Sequence, residues 1–212
     1  MTGEVAWQTV TNLGIIQESR INHPRTVSTS LEREIKLRFA SPIEAKSLIL
    51  SIGATPVRPR RLQRDHVLDT SQQTLHQNCS VLRVRIEPRE SRLTFKGPPQ
   101  SSTMKLRKEI ELTVENGSDL LCVLERVGFH VAFRYEKYRE EFSWKNVIIA
   151  LDETPIGTFV ELEGTENSIH MAADRLGRTP SDYVTKSYHT LFIQYCESSH
   201  LEDTHMLFGN TQ

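Results

Sequence analysis

Apolar and charged residues alternate along this chain in short runs set apart by turn residues. In "TSLEREIKLRF", Glu32, Glu34 and Lys36 fall on one face of an extended segment, and Arg33, Ile35 and Leu37 fall on the other. A period of two marks a β-strand, whose successive side chains point to opposite sides. "SVLRVRIE" sets Arg83 and Arg85 against Leu82, Val84 and Ile86. "SRLTFKGPP" sets Thr94 and Lys96 against Leu93 and Phe95 and stops at Gly97-Pro98-Pro99. "KLRKEIELTV" sets Arg107, Glu109 and Glu111 against Lys108, Ile110 and Leu112. "FRYEKYREEF" places Tyr135, Lys137 and Arg139 together, "NVIIALDE" carries Asp152 near its end, and "GTFVELEG" sets Glu161 and Glu163 against Val160 and Leu162. "RRLQRDHVLDT" also reads as a strand, followed by a polar stretch to Asn78.

Four segments change to a helical period. "SPIEAKSLILSIGA" starts with Ser41 as N-cap, Pro42 in the first turn and Glu44 three residues on, and Gly53 stops it. "NGSDLLCVLERVGF" is expected to be capped by Ser118 and ended by Gly128. "ENSIHMAADRLG" ends at Gly177, and a last helix is expected over "TPSDYVTKSYHTLFIQY", carrying Lys186. About eight strands with interspersed helices predict an α+β fold with a mainly antiparallel sheet.

The 212 residues suit one domain. Twenty-six basic and 27 acidic residues give a net charge of -1, so no global positive field calls for DNA. Cys79, Cys122 and Cys196 stand far apart, with no CxxC pair, which argues for a reducing, cytoplasmic setting without structural zinc. No run approaches a membrane span. Residues 1–29 read as an extension with a short amphipathic stretch (Trp7, Val10, Leu13, Ile15, Ile16), 30–195 as the folded domain, and 196–212 as a peripheral tail.

What sets the strands apart is the chemistry of their polar faces. One charged face is ordinary for a half-solvated antiparallel strand. Here the series runs Glu-x-Glu-x-Lys, Arg-x-Arg, Lys, Arg-x-Glu-x-Glu, Lys-x-Arg, Glu-x-Glu. About eight strands can close into a barrel. With the apolar faces outward under the helices, the charges would line a tunnel. Carboxylates are hard ligands suited to Mg²⁺ or Mn²⁺, and Arg and Lys bind phosphate oxygens. Such a lumen suits a polyphosphate with divalent ions.

"EREIK" resembles the ExExK signature of the CYTH superfamily, also called triphosphate tunnel metalloenzymes. The resemblance continues in order through "RDHVLDT", "LRVR", "LTFKGP", "RKEIEL", "EKYRE", "ALDETPIGTFVELEG" and "TKSY", over roughly residues 30 to 195. The wording is most similar to bacterial proteins labelled class IV adenylate cyclase. The resemblance implies a closed, eight-stranded β-barrel with a charged lumen and helices outside. It implies that Glu32, Glu34, Asp152, Glu161 and Glu163 hold the metal. Lys36, Arg83, Arg85, Lys96, Lys137, Arg139 and Lys186 would grip phosphates. Arg107, Glu109 and Glu111, with Lys36, would serve catalysis. Val67 stands where the family often has an aromatic residue.

Arg38 and Glu141 share faces with these residues but sit near strand ends, where exposure to solvent is the simpler expectation. Tyr135 is expected to pack in the barrel rather than stack on a base. The expected activity is metal-dependent hydrolysis of tripolyphosphate or an organic triphosphate, since hydrolysis does not require a base and sugar to be oriented. Cyclisation of ATP to cyclic AMP and pyrophosphate would use the same lumen. A non-catalytic nucleotide-binding module would not need intact carboxylates. The partner is thus a triphosphate, not DNA or a membrane, and a dimer is left open.

Overall fold

The period-two segments become eight strands that close on themselves. The structure, a computed structural model, describes residues 27–209. The strands are β1 (Val27–Phe39), β2 (Thr55–Thr70), β3 (Val81–Ile86), β4 (Ser91–Lys96), β5 (Lys105–Val114), β6 (Phe129–Trp144), β7 (Val147–Thr154) and β8 (Gly157–Gly164). They form a closed barrel in the order β1-β5-β4-β3-β2-β6-β7-β8. Each neighbouring pair is antiparallel. The expected α+β barrel is therefore borne out.

Closure is staggered, as a tilted barrel requires. The first part of β1 pairs with β5 and the second with β8, and Glu34 sits at the seam, opposite both Lys105 and Glu163. Past the seam, Lys36 exchanges backbone hydrogen bonds with Val184 at 3.0 and 2.9 Å. On the far side, β7 pairs with β6 only from Tyr138 onward. There Met206 fills the vacant edge, donating to Arg134 O at 3.0 Å and accepting from Glu136 N at 2.9 Å.

The apolar faces lie outside the wall. Ile35, Leu37, Ile149, Val160 and Leu162 are buried beneath α1 (Pro42–Ser51) and α4 (Glu166–Arg175), which contribute Ala45, Ile49, Ile169, Ala172 and Ala173. A second cluster sits at one end of the barrel, where α5 (Tyr188–Ser199) packs Tyr188, Phe192 and Cys196 against Phe133, Tyr135, Phe159 and Met206. Tyr135 is buried, as expected.

Several expectations need correction. The cap of α3 (Gly117–Arg126) is Asn116, whose side chain accepts from the Ser118 and Asp119 amides; Ser118 lies inside the first turn. The polar stretch before Asn78 contains a single helical turn, α2 (Thr74–Gln77). The last helix does not begin at Thr179: a 3-10 turn (Pro180–Asp182) comes first, then the extended bridge at Val184, and Ser187 caps α5. Residues 27–29 belong to β1 rather than to an extension, and the amphipathic stretch within 1–26 lies outside the described residues. The tail is not peripheral, because Met206 is fully buried.

Burying a methionine side chain is worth about 2 to 5 kcal/mol relative to alanine. Met206→Ala is expected to lose at least about 2 kcal/mol of unfolding free energy in urea titration. A loss below about 0.5 kcal/mol would mean that the Met206 side chain adds nothing to the barrel's stability.

Candidate active site: a charged tunnel

The inward faces enclose a cavity of about 1060 Å³. That is slightly above the range of ordinary small-molecule sites, roughly 300 to 1,000 Å³. Glu32, Glu34 and Lys36 from β1, Arg83 and Arg85 from β3, Lys96 from β4, Arg107, Glu109 and Glu111 from β5, Lys137 and Arg139 from β6, and Glu161 and Glu163 from β8 all line it. Glu32 and Glu163, read from opposite ends of the sequence, point into one lumen.

The lumen is organised by ion pairs. Asp152 is fully buried and accepts from Lys137 Nζ at 2.9 Å, Arg139 Nε at 2.6 Å and Tyr188 Oη at 2.7 Å. Arg139 also reaches Glu161. Lys36 lies between Glu34 at 3.0 Å and Glu161 at 3.2 Å. Lys96 contacts Glu32 at 2.6 Å and Glu109 at 3.2 Å. Asp65 receives Arg85 at 2.9 Å and Arg83 at 3.3 Å. Glu111 accepts from Arg92 and from Thr94, each at 3.3 Å.

Charge is not evenly matched. Burial followed by the neighbouring Glu34 carboxylate pushes Glu32 up to about 7, and the same two causes push Glu163 up to about 6. Burial would also raise Glu34, but Lys105 and Lys36 outweigh it and hold that carboxyl well below its usual range. Glu161 is held well below likewise, burial being outweighed by Lys36 and Arg139. Burial, then Arg139, lowers Lys137 to about 8, against the pull of Asp152. The corner holding Glu32, Glu34, Glu109 and Glu163 thus carries more negative charge than Lys96 and Lys105 neutralise. A divalent cation relieves that excess as a proton does, and an all-oxygen donor set is the one Mg²⁺ or Mn²⁺ favours. The donor chemistry therefore suits a hard metal, although among the described residues no three such side chains are gathered into a metal-holding group as placed. On the basic side, Arg107 Nε is buried without a hydrogen-bond partner, leaving a donor for an anion.

Three expected positions differ. Asp152 does not line the cavity; its oxygens are occupied by two cations and a phenol, so it positions Lys137 and Arg139 instead of facing the lumen. Lys186 is exposed and donates to Gln194 at 3.1 Å, because it precedes α5 on the outer side of that turn. Glu141, expected in solvent, lines the cavity and pairs with Arg61 at 2.6 Å. Arg38 is exposed, as expected, over the Phe159 ring. Lys105 and Tyr188 are among the lumen residues that the alternation left unnamed. Lys105 meets Glu34 at 2.5 Å and shares the parity of Arg107, so the alternation could have revealed it. Tyr188 carries no such signal, because it arrives from a helix.

A model of the CYTH domain matches residues 30–188, and the chain belongs to that family. It is similar to a Methanocaldococcus jannaschii protein named as a candidate adenylate cyclase, with 23% identity over 141 residues, 66% of this chain and 80% of the relative. Among solved structures, a candidate adenylate cyclase from Vibrio parahaemolyticus superposes with a TM-score of 0.67 at 19% identity, over 77% of this chain and 98% of that one. A Hippeastrum protein, described as a candidate adenylyl cyclase with a dominant triphosphatase activity, gives 0.58 at 23% identity, over 77% and 96%. At these identities the likeness shows the fold. No helix among the described residues is long and apolar enough to cross a membrane.

Asp65 tests the ion-pair scaffold without touching the carboxylate corner. Burial would raise its pKa, but Arg85 and Arg83 outweigh that and hold it below its usual value. A depressed carboxyl stabilises the fold above the unfolded value of about 3.9 and ceases to do so as pH falls through its folded value. Asp65→Asn is expected to cost roughly 3 kcal/mol at neutral pH, as removal of one partner of a buried pair does. The gap to wild type should close as unfolding is measured at progressively lower pH below about 4. A gap that stays constant there excludes the ionised carboxylate as its source.

Proposed function

We propose that the chain is a divalent-metal-dependent triphosphatase, hydrolysing tripolyphosphate or an organic triphosphate inside the tunnel. The observation that carries this reading is one lumen lined by both cations (Lys36, Arg83, Arg85, Lys96, Lys137, Arg139) and carboxylates (Glu32, Glu34, Glu161, Glu163). Phosphoryl transfer needs little covalent chemistry; it needs the phosphates aligned and their developing charge met.

Glu32, Glu34, Glu161 and Glu163 would hold Mg²⁺ or Mn²⁺. When bound, the metal supplies Lewis-acid stabilisation of the phosphate oxygens and lowers the pKa of a coordinated water. The basic side chains bind and orient the phosphate chain. Lys36 stays protonated because Glu161 and Glu34 outweigh its burial, so it contributes a fixed positive charge. Glu109 remains ionised, since Lys96 and Arg83 outweigh burial, and is suited to accept a hydrogen bond from an attacking water. Arg107, tied to Cys79 O at 3.2 Å, meets the phosphate chain at the tunnel rim. Asp152 and Tyr188 keep Lys137 and Arg139 aimed at the lumen.

The names of the Methanocaldococcus and Vibrio relatives favour a second reading, conversion of ATP to cyclic AMP and pyrophosphate. One assay separates the two. With Mg²⁺ or Mn²⁺, the protein is expected to release orthophosphate from tripolyphosphate and from ATP, to stop when EDTA is added, and to form no cyclic AMP. Cyclic AMP with pyrophosphate as the dominant products overturns hydrolysis in favour of cyclisation. Glu163→Gln should reduce phosphate release by at least about a hundredfold while leaving the melting temperature within a few degrees. A variant that keeps full turnover removes Glu163 from the metal site.

A further inference from the structure

The lysines of the lumen are of two kinds. Lys36 and Lys137 are locked in place. Each side chain is 2% exposed, and each ammonium lies over the Tyr188 ring, at 5.2 and 4.9 Å from its centre. Lys96 and Lys105 are more open, with side chains 12% and 17% exposed. Lys105 is the first residue of β5 and faces Glu34 at the barrel seam. Among the described residues, Glu34 is its one ion-pair partner.

These two open lysines hold the oxygens of the acidic corner. Both oxygens of Glu32 accept from Lys96, at 2.6 and 2.5 Å. One oxygen of Glu34 takes Lys36 and Lys105 together, at 3.0 and 2.5 Å. Carboxylates engaged in this way do not converge on a common point, in keeping with the absence of a three-ligand group among the described residues.

Two ammonium groups carry the charge of one divalent cation. Exchanging Lys96 and Lys105 for such a cation leaves the charge of the corner unchanged. It also frees two ammonium groups in a lumen already lined by Lys36, Arg83 and Arg107. Unpaired charges there are costly, so the exchange needs a new anion for the lysines. A triphosphate chain supplies it. Mg²⁺ is itself commonly held by one or two carboxylates plus substrate phosphates, so the same anion completes its ligand set. The flexible four-carbon stem of a lysine lets its ammonium change partner while the strand stays fixed.

We propose that Lys105, together with Lys96, is an exchangeable counter-ion of the acidic corner. Its ammonium turns from Glu34 to the phosphate chain and yields the carboxylate to a divalent cation. Lys105 is thereby a further phosphate-binding residue, and metal and triphosphate each hold the other in the tunnel. Such coupling is reciprocal. This inference rests on the metal-and-triphosphate reading of the tunnel but not on which reaction follows.

The test reads binding, not turnover. Mn²⁺ alone is titrated into the protein and the free ion followed by electron paramagnetic resonance. Non-hydrolysable inorganic diimidotriphosphate is titrated calorimetrically, once in EDTA and once with saturating Mg²⁺. Lys105→Met should bind Mn²⁺ at least about tenfold more tightly than wild type and the anion about tenfold more weakly in Mg²⁺. In wild type, Mg²⁺ should tighten the anion at least about tenfold; in the variant, less than threefold. Lys105→Gln, a second neutral replacement, should reproduce these changes. Arg92 lines the same cavity but pairs with Glu90 and Glu111, so Arg92→Met should alter Mn²⁺ affinity less than threefold. Mn²⁺ affinities of both Lys105 variants within about twofold of wild type overturn the exchange. An equal rise in Arg92→Met also overturns it, by assigning the effect to net charge. If wild type and variants alike bind no Mn²⁺, the metal reading itself falls and takes this inference with it.

Discussion

A charged group taken out of water must meet an opposite charge, and that requirement governs the interior of this barrel. Asp152 shows it most fully. With no exposed surface, it is held by an ammonium, a guanidinium and a phenol that arrive from β6 and α5. Asp65 does the same for two arginines of β3. These anchors leave Lys137, Arg139, Arg83 and Arg85 facing the lumen in defined places, so a ligand meets donors already aligned.

The anchors also divide the labour among the carboxylates. Those with complete partner sets, Asp65 and Asp152, belong to the framework. Those that crowd one another, Glu32, Glu34 and Glu163, leave a local excess of negative charge. Framework and reactive site thus use the same residue type and differ in how well each carboxylate is neutralised. The hydrophobic effect acts on the other surface of the wall, where α1 and α4 cover Ile35, Leu37, Ile149 and Leu162. The fold is an inside-out arrangement: its apolar core surrounds a polar one.

The strands and their inward faces were legible because a period of two assigns each residue to a side without knowledge of the partner strand. Glu32, Arg83, Lys96, Glu109, Lys137 and Glu163 all lie where that period puts them. It was silent on depth, and so Asp152 was read as a ligand although it sits behind the lumen. It was silent on what helices and loops bring in, which is why Tyr188 and the buried Met206 carried no signal. Lys186 was misplaced because the Val184 bridge interrupts a segment whose composition reads as one helix. A bulge at Ala132, where Val67 lies opposite Phe133 but Leu68 opposite Val131, depends on the pairing of two strands and cannot be seen in either one alone.

The seam at Glu34 has a consequence for how the chain is made. Its strand is the first of the sheet, yet it needs β8 as well as β5, and Glu163 stands 129 positions further on. A nascent chain cannot close the cylinder until most of it has left the ribosome. Until then the acidic and basic faces remain in water, and the costly removal of all these charges from solvent is deferred to one late, cooperative event. Such distant pairing slows folding relative to proteins rich in local contacts. The feature that seals the tunnel also makes its interior one of the last parts of the molecule to exist.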